Sequence, residues 1–144
     1  MYGEYSRNID DKNRVVIPPV FRDELGSKVF VTIGFDGNAE IRSIEEYKAY
    51  IRMIEENNRF DRNARILARY ILGNTYEIDL DNQNRISLPK IIIDKLSIKK
   101  EVIFIGVGSI AELWSKEKYD EFNNQYSLDD IANIAQTLSG HGTK

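Results

Sequence analysis

Two arginines, Arg14 and Arg85, each stand four residues after an aspartate in near-identical surroundings: "DDKNRVVIP" from Asp10 to Pro18 and "DNQNRISLP" from Asp81 to Pro89. A guanidinium presents parallel donors that match O6 and N7 of guanine in a major groove, a pairing that discriminates against a wrong base by roughly 1–3 kcal/mol. The same spacing lets Asp10 or Asp81 close a turn on its own arginine as a structural clamp. Both roles can coexist if the carboxylate orients the fork. Lys12 is a compact charge suited to a phosphate oxygen, or an ordinary solvated turn lysine; its counterpart is Gln83. Asn13 and Asn84 could read adenine through a bidentate amide, or hold the turn because asparagine tolerates left-handed backbone. Arg7, on the preceding stretch, is a further candidate for a phosphate.

Other chemistries find little footing. The chain has no cysteine, which removes thiol nucleophiles, thiolate metal sites and disulfides together. Its single histidine, His141, lies between glycines near the end and is not placed to serve a triad. The run "DLDNQNRISLPK" opens like a calcium loop at Asp79 and Asp81, but Asn84 stands where the sharp turn needs Gly and Lys90 where a bidentate Glu is needed. Paired carboxylates at Asp10 and Asp11, or Asp79 and Asp81, have no evident cleft. The expectation is a non-enzyme with no catalytic residues, metal, cofactor or small-molecule substrate.

The turns must be positioned by the elements around them, and those elements are duplicated. At an offset of 71, Tyr5 matches Tyr76, Asp10 matches Asp81, Pro18 matches Pro89, Asp23 matches Asp94 and Leu25 matches Leu96. At an offset of 72, Gly34 matches Gly106, Glu40 matches Glu112, Ser43 matches Ser115 and Tyr47 matches Tyr119. Each unit of roughly 45 residues reads as four short strands and a short helix. The strands fall at residues 3–9 and 75–80, at 14–17 and 85–88, in "VFVTI" and "EVIFI", and in "AEIR" and "AELW". Pro18 and Pro89 suit a first helical turn, and Gly26 a helix end. A unit this small cannot bury enough surface alone, so two copies that exchange hairpins could close a small β-barrel with pseudo-two-fold symmetry.

Helices follow each unit. Ser43 with Glu46 forms a capping box before Ile44, Tyr47, Ile51 and Ile54; a second helix over residues 61–72 ends at Gly73 and carries Ile66, Leu67, Tyr70 and Ile71. Ser115 opens a helix with Tyr119 and Phe122, and Ser127 with Asp130 opens another with Ile131, Ile134, Ala135 and Leu138. The tail "SGHGTK" reads as frayed. Arg59, Arg62, Arg65 and Arg69 fall near one helical face, as a second phosphate stripe, as a solvated face, or as a subunit contact with the acidic helices at Glu117 to Glu121 and Asp129 to Asp130. Trp114 reads as a core or interface anchor.

The bulk properties agree with a binding domain. With 144 residues and 42% hydrophobic content, the chain is one domain or two halves sharing a core. A net charge of −3 leaves room for a local basic patch. No apolar run nears the roughly 18 residues of a membrane span, and the start lacks a signal peptide's charge and apolar core. A cytoplasmic protein with no membrane partner is expected.

The paired Asp-x-x-x-Arg turns, each followed by aliphatics and Pro, together with "GVGSIAELWSKEKY", resemble the MraZ family over about residues 1–138. The resemblance implies an α+β, β-rich fold: a duplicated swapped-hairpin AbrB-like double-psi-type β-barrel with flanking helices. It divides the chain into a first half at 1–47, a helical connection at 48–73, a second half at 74–119 and a C-terminal helix and tail at 120–144. It implies a nucleoid-associated, DNA-binding transcriptional regulator, a repressor, that recognises short direct repeats in the promoter of the division and cell-wall gene cluster and assembles into a homo-oligomeric ring. By carry-over, Arg7, Asp10, Lys12, Asn13, Arg14, Asp81, Gln83, Asn84 and Arg85 would lie on or organise the DNA-facing surface. Two departures stand out: Asn13 and Asn84 occupy positions often held by Gly, and Gln83 replaces the lysine of the first half. The alternatives are an antitoxin-like module, or an oligomeric protein-interaction module, for which DNA binding is incidental.

Overall fold

The two halves of the chain are threaded through one another. A computed structural model describes residues 1–142, with side chains through residue 140. In chain order the elements are β1 (Tyr2–Asn8), β2 (Arg14–Val16), α1 (Pro19–Leu25), β3 (Lys28–Ile33), β4 (Ala39–Arg42), α2 (Ile44–Glu55) and α3 (Arg62–Gly73). They continue with β5 (Thr75–Asp79), β6 (Arg85–Ser87), α4 (Lys90–Leu96), β7 (Glu101–Val107), β8 (Ala111–Ser115), α5 (Lys116–Asn123) and α6 (Leu128–Gly142).

Six strands form one antiparallel sheet in the order β1-β7-β8-β4-β3-β5, while β2 and β6 pair as a separate ribbon. Exchanging the halves turns this order into its own reverse. The first strand of each half therefore pairs with the third strand of the other: Tyr5 lies opposite Phe104, and Tyr76 opposite Val31. The interior is shared in the same way. Val15, Ile17, Phe21 and Leu25 of the first half, and their repeat mates Ile86, Leu88, Ile92 and Leu96, all lie in one buried cluster. Fully burying such a side chain contributes about 1.5–3 kcal/mol. Neither half contains this cluster by itself.

The ladders do not close into the expected barrel: β1 and β5 are edges of the sheet, and β2 and β6 bond only to each other. Local chemistry explains the gap. Pro18 and Pro89 lack an amide donor and follow directly after Ile17 and Leu88, which limits β2 and β6 to three residues each. The amides of Asp10 and Asp81 turn back to the carbonyls of Arg14 and Arg85, at 2.9 and 3.0 Å, and so cannot extend the ladder. The ribbon lies beside β1 and β5, with Val15 and Ile86 buried in the shared core.

Helix boundaries follow their caps. Pro18 and Pro89 occupy the cap positions, one residue earlier than a first helical turn, and Pro19 takes the first turn of α1. Gly26 ends α1 at φ 80°, whereas α4 ends on Ser97 at φ 56°. The hydroxyls of Ser43 and Ser115 accept from the amides of Glu46 and Lys118 at the starts of α2 and α5. Asp61 caps α3, which includes Gly73 and ends on Asn74. α6 runs through Gly142, so residues 139–142 of the expected tail are helical; Thr143 and Lys144, the rest of that tail, lie outside the described residues. Among the described residues no helix is long and apolar enough to cross a membrane.

Candidate nucleic-acid interface

Both Asp-x-x-x-Arg turns fold to the same pattern of hydrogen bonds. In the first, Asp10 Oδ1 accepts from the amides of Lys12 (3.0 Å) and Arg14 (2.7 Å), and Oδ2 accepts from Arg14 Nε at 2.7 Å. In the second, Asp81 Oδ1 accepts from Gln83 and Arg85, each at 2.9 Å, and Oδ2 from Arg85 Nε at 2.7 Å. The carboxyls of Asp10 and Asp81 are held below their ordinary value of 3.8. The amide of the arginine is the largest cause. Partial desolvation opposes it, and the guanidinium and the amide two residues on from the aspartate add to the lowering.

Asn13 and Asn84 each adopt φ 60°, the left-handed backbone that the turn requires. Their carbonyls tie the two turns together: Asn84 O accepts from Ile17 at 3.0 Å and Asn13 O from Leu88 at 2.8 Å. The asparagines thus hold the turn through the backbone. Because only Nε engages the carboxylate, the two terminal nitrogens of Arg14 and of Arg85 make no hydrogen bond to protein among the described residues. The clamp and a free fork coexist on the same side chain.

Strand alternation sets the direction of that fork. Across the ribbon Arg14 pairs with Ser87, Val15 with Ile86, and Val16 with Arg85. Val15 and Ile86 are 1% and 0% exposed, so Arg14, Val16, Arg85 and Ser87 share the opposite, outer face. Arg14 and Arg85 stand two residues apart along the ribbon, about 7 Å at roughly 3.3 Å per residue. A major groove about 12 Å wide admits a two-stranded ribbon. Lys12 and Gln83 are exposed on the turns beside this face. Arg7 lies on β1 opposite Val102, three residues before the first turn, and its Nη1 donates to Ser6 O at 2.8 Å.

A protein-family model described as "MraZ protein, putative antitoxin-like" matches the chain twice, over residues 1–70 and 71–140. The chain belongs to the MraZ family. Transcriptional regulator MraZ of Mycoplasmopsis pulmonis is 40% identical over 144 residues, covering 100% of this chain and 98% of the relative. That of Mycoplasma mobile is 39% identical, covering 99% and 98%. Transcriptional regulator MraZ of Clostridium acetobutylicum is 38% identical, covering 97% of each chain.

Within this MraZ chain, sequence reasoning missed Val16 and Ser87 as members of the outer face. The signal was present in the two-residue period of the strands, which puts positions 14 and 16, and 85 and 87, on one side. Trp114 is 4% exposed and packs on Tyr119 and Phe122, with Nε1 donating to Glu112 at 3.0 Å. It is an anchor for α5 and cannot stack on a base. Asp79 faces Lys28 Nζ at 3.7 Å. Arg59 lies in the link between α2 and α3, so it does not share the helical face expected for it with Arg62, Arg65 and Arg69; Arg59, Arg65 and Arg69 border a cleft between α2 and α3.

Proposed function

We propose that this chain is a transcriptional regulator that binds double-stranded DNA through the outer face of the β2–β6 ribbon, with Arg14 and Arg85 reading bases. One observation carries the reading: two clamped arginines, each with its terminal nitrogens unengaged, stand side by side on a ribbon of major-groove dimensions. The names of the MraZ relatives support regulation of transcription. Lys12 would meet a phosphate, as would Arg7; Asp10, Asp81, Asn13 and Asn84 would organise the turns; Gln83 would give the second turn a weaker hold on the backbone.

The resemblance extends the proposal to its setting: a cytoplasmic, nucleoid-associated repressor acting on short direct repeats in the promoter of the division and cell-wall gene cluster. One chain presents a single ribbon. A homo-oligomeric ring would present several, and several modest contacts on tandem repeats gain strength through effective concentration. The deciding experiment is a gel shift with DNA from upstream of the protein's own gene against a scrambled duplex. Retardation of the first alone supports the reading, and equal or absent retardation of both favours a protein-interaction module instead.

A further inference from the structure

The link between α4 and β7 ends beside the first Asp-x-x-x-Arg turn. Ile9 N donates to Lys100 O at 2.8 Å, directly before Asp10 opens that turn, and Asn8 lies opposite Glu101. No spacing in the sequence connects these residues; the exchange of strands between the halves does. Lys99 and Lys100 are both exposed, and neither side chain makes a hydrogen bond or an ion pair among the described residues. The same holds for the side chain of Lys12, and Arg7 donates only to a carbonyl. Lysines elsewhere behave differently: Lys28 faces Glu77 and Asp79, Lys90 faces Asp94, and Lys116 faces Asp120. Of the acids adjoining the cluster in the chain, Asp11 is exposed and Glu101 accepts from the hydroxyl of Ser6. One end of the ribbon therefore carries Arg7, Lys12, Lys99 and Lys100 with no carboxylate paired to them.

The other end repeats the backbone without the charge. Leu80 N donates to Ser27 O at 2.9 Å, in the repeat position of the bond from Ile9. Gly26 and Ser27 thus stand beside the second turn where Lys99 and Lys100 stand beside the first. With Asp81 and Asn84 they line an open hollow of about 380 Å³. Ile78 takes the place of Arg7, and Gln83 that of Lys12. The cation left on this side is Arg22, next to Asp23. The arginine clamps of the two turns match, whereas their flanks do not.

Unpaired lysines are suited to phosphates. A compact ammonium on a flexible stem meets a backbone oxygen without demanding one geometry, and each such contact releases counterions from the duplex whatever its sequence. We propose that Lys99 and Lys100 form a phosphate-binding flank that prolongs the nucleic-acid surface past the first turn only, an extension that rests on the ribbon reading given above. The second half of the chain supplies backbone grip beside the turn of the first half. The footprint on DNA is then off-centre about the Val15–Ile86 pair, longer on the side of Lys12.

The test is the double variant Lys99→Ala, Lys100→Ala in gel shifts on the cognate and scrambled duplexes at several salt concentrations. The slope of log affinity against log salt should become shallower by about two phosphate contacts. Between about 50 and 200 mM salt the parent should then lose roughly tenfold more affinity than the variant. Preference for the cognate duplex should be kept. Lys99→Gln, Lys100→Gln retains most of each stem and should give the same slope, which separates lost charge from any loss of fold. Ser27→Lys puts an ammonium at the matching point beside the second turn and should steepen the slope by about one contact. Ethylation of single phosphates in a duplex holding one repeat locates the flank: the double variant should lose interference on one side of the repeat. An unmoved slope in both double variants, or interference lost evenly on both sides, would overturn the flank. If Arg14→Ala still lowers cognate preference in that case, the ribbon reading stands without it. A parent that retards neither duplex would overturn both.

Discussion

Arg14 lies directly opposite Ser87 across the β2–β6 ribbon, and two positions along Val16 lies opposite Arg85. The pseudo-two-fold axis runs through the Val15–Ile86 pair. The arginines are therefore equivalent, whereas the residues beside them are a valine and a serine. The outer face is a symmetric scaffold with one unsymmetric pair of side chains.

Arg14→Ala and Arg85→Ala remove one base-reading fork each under the proposed function. Each is expected to lower affinity for the cognate repeat by roughly 1–3 kcal/mol while affecting random duplex less. Competitive gel shifts check this. Equal losses on both duplexes would reassign the arginine to phosphate contact or to folding.

Val16→Ser makes the two strands alike on their outer face. A valine methyl can contact a thymine methyl, whereas a serine hydroxyl accepts either hydrogen-bonding pattern. The variant should keep overall affinity within about 1 kcal/mol and lose preference at one base position. Selection from a randomised duplex pool reads the outcome, and an unchanged consensus would count against groove insertion of this face.

Lys12 and Gln83 mark the asymmetry of the turns. Lys12→Ala should make the salt dependence of binding shallower by about one phosphate contact with specificity kept, and Gln83→Lys should steepen it by about the same amount. The measurement is the slope of log affinity against log salt concentration. A slope that Lys12→Ala does not move removes the phosphate role.

Asn13 at φ 60° distinguishes the backbone role from base reading. Asn13→Gly should leave thermal stability within about 0.5 kcal/mol of the parent, because glycine enters this conformation freely. Asn13→Val should cost about 1–2 kcal/mol, because a branched side chain meets the carbonyl in left-handed backbone. DNA affinity retained in Asn13→Gly would confirm that the amide reads no base.

The clamps also set an acid limit. The carboxyls of Asp10 and Asp81 titrate below 3.8 in the folded chain. A depressed carboxyl binds fewer protons folded than unfolded, so its contribution is fully present above about 3.8 and is lost as pH falls through the lower folded value. Urea midpoints measured through that acid window should fall more steeply for the parent than for the Asp10→Asn, Asp81→Asn double variant. Parallel curves would mean that the clamps carry no linkage.

Much of this arrangement was legible in the sequence because it is written twice. The repeat located both turns, and the serine caps, glycine turns and aliphatic runs located nearly every element to within a residue or two. That the ladders stay open, short of the expected barrel, was not legible, because strand propensity says nothing of where an amide will turn back, as those of Asp10 and Asp81 do. The exposure of Ile66, Leu67 and Tyr70 on α3 was not legible either. Apolar spacing marks a face to be covered without saying whether the same chain covers it. Val16 was overlooked because an aliphatic residue between arginine and proline reads as core until the partner strand fixes which face is buried.

The reversed strand order carries a cost for a chain emerging from the ribosome. Residues 2–8 can meet their partners only after residues 101–107 have been made. At about 5–20 residues per second, that leaves the first strand without its partner for roughly 5–20 s. Throughout this interval its amides and carbonyls must be satisfied by water or by transient helpers, and productive folding waits until the second turn and the strand beyond it are both in place.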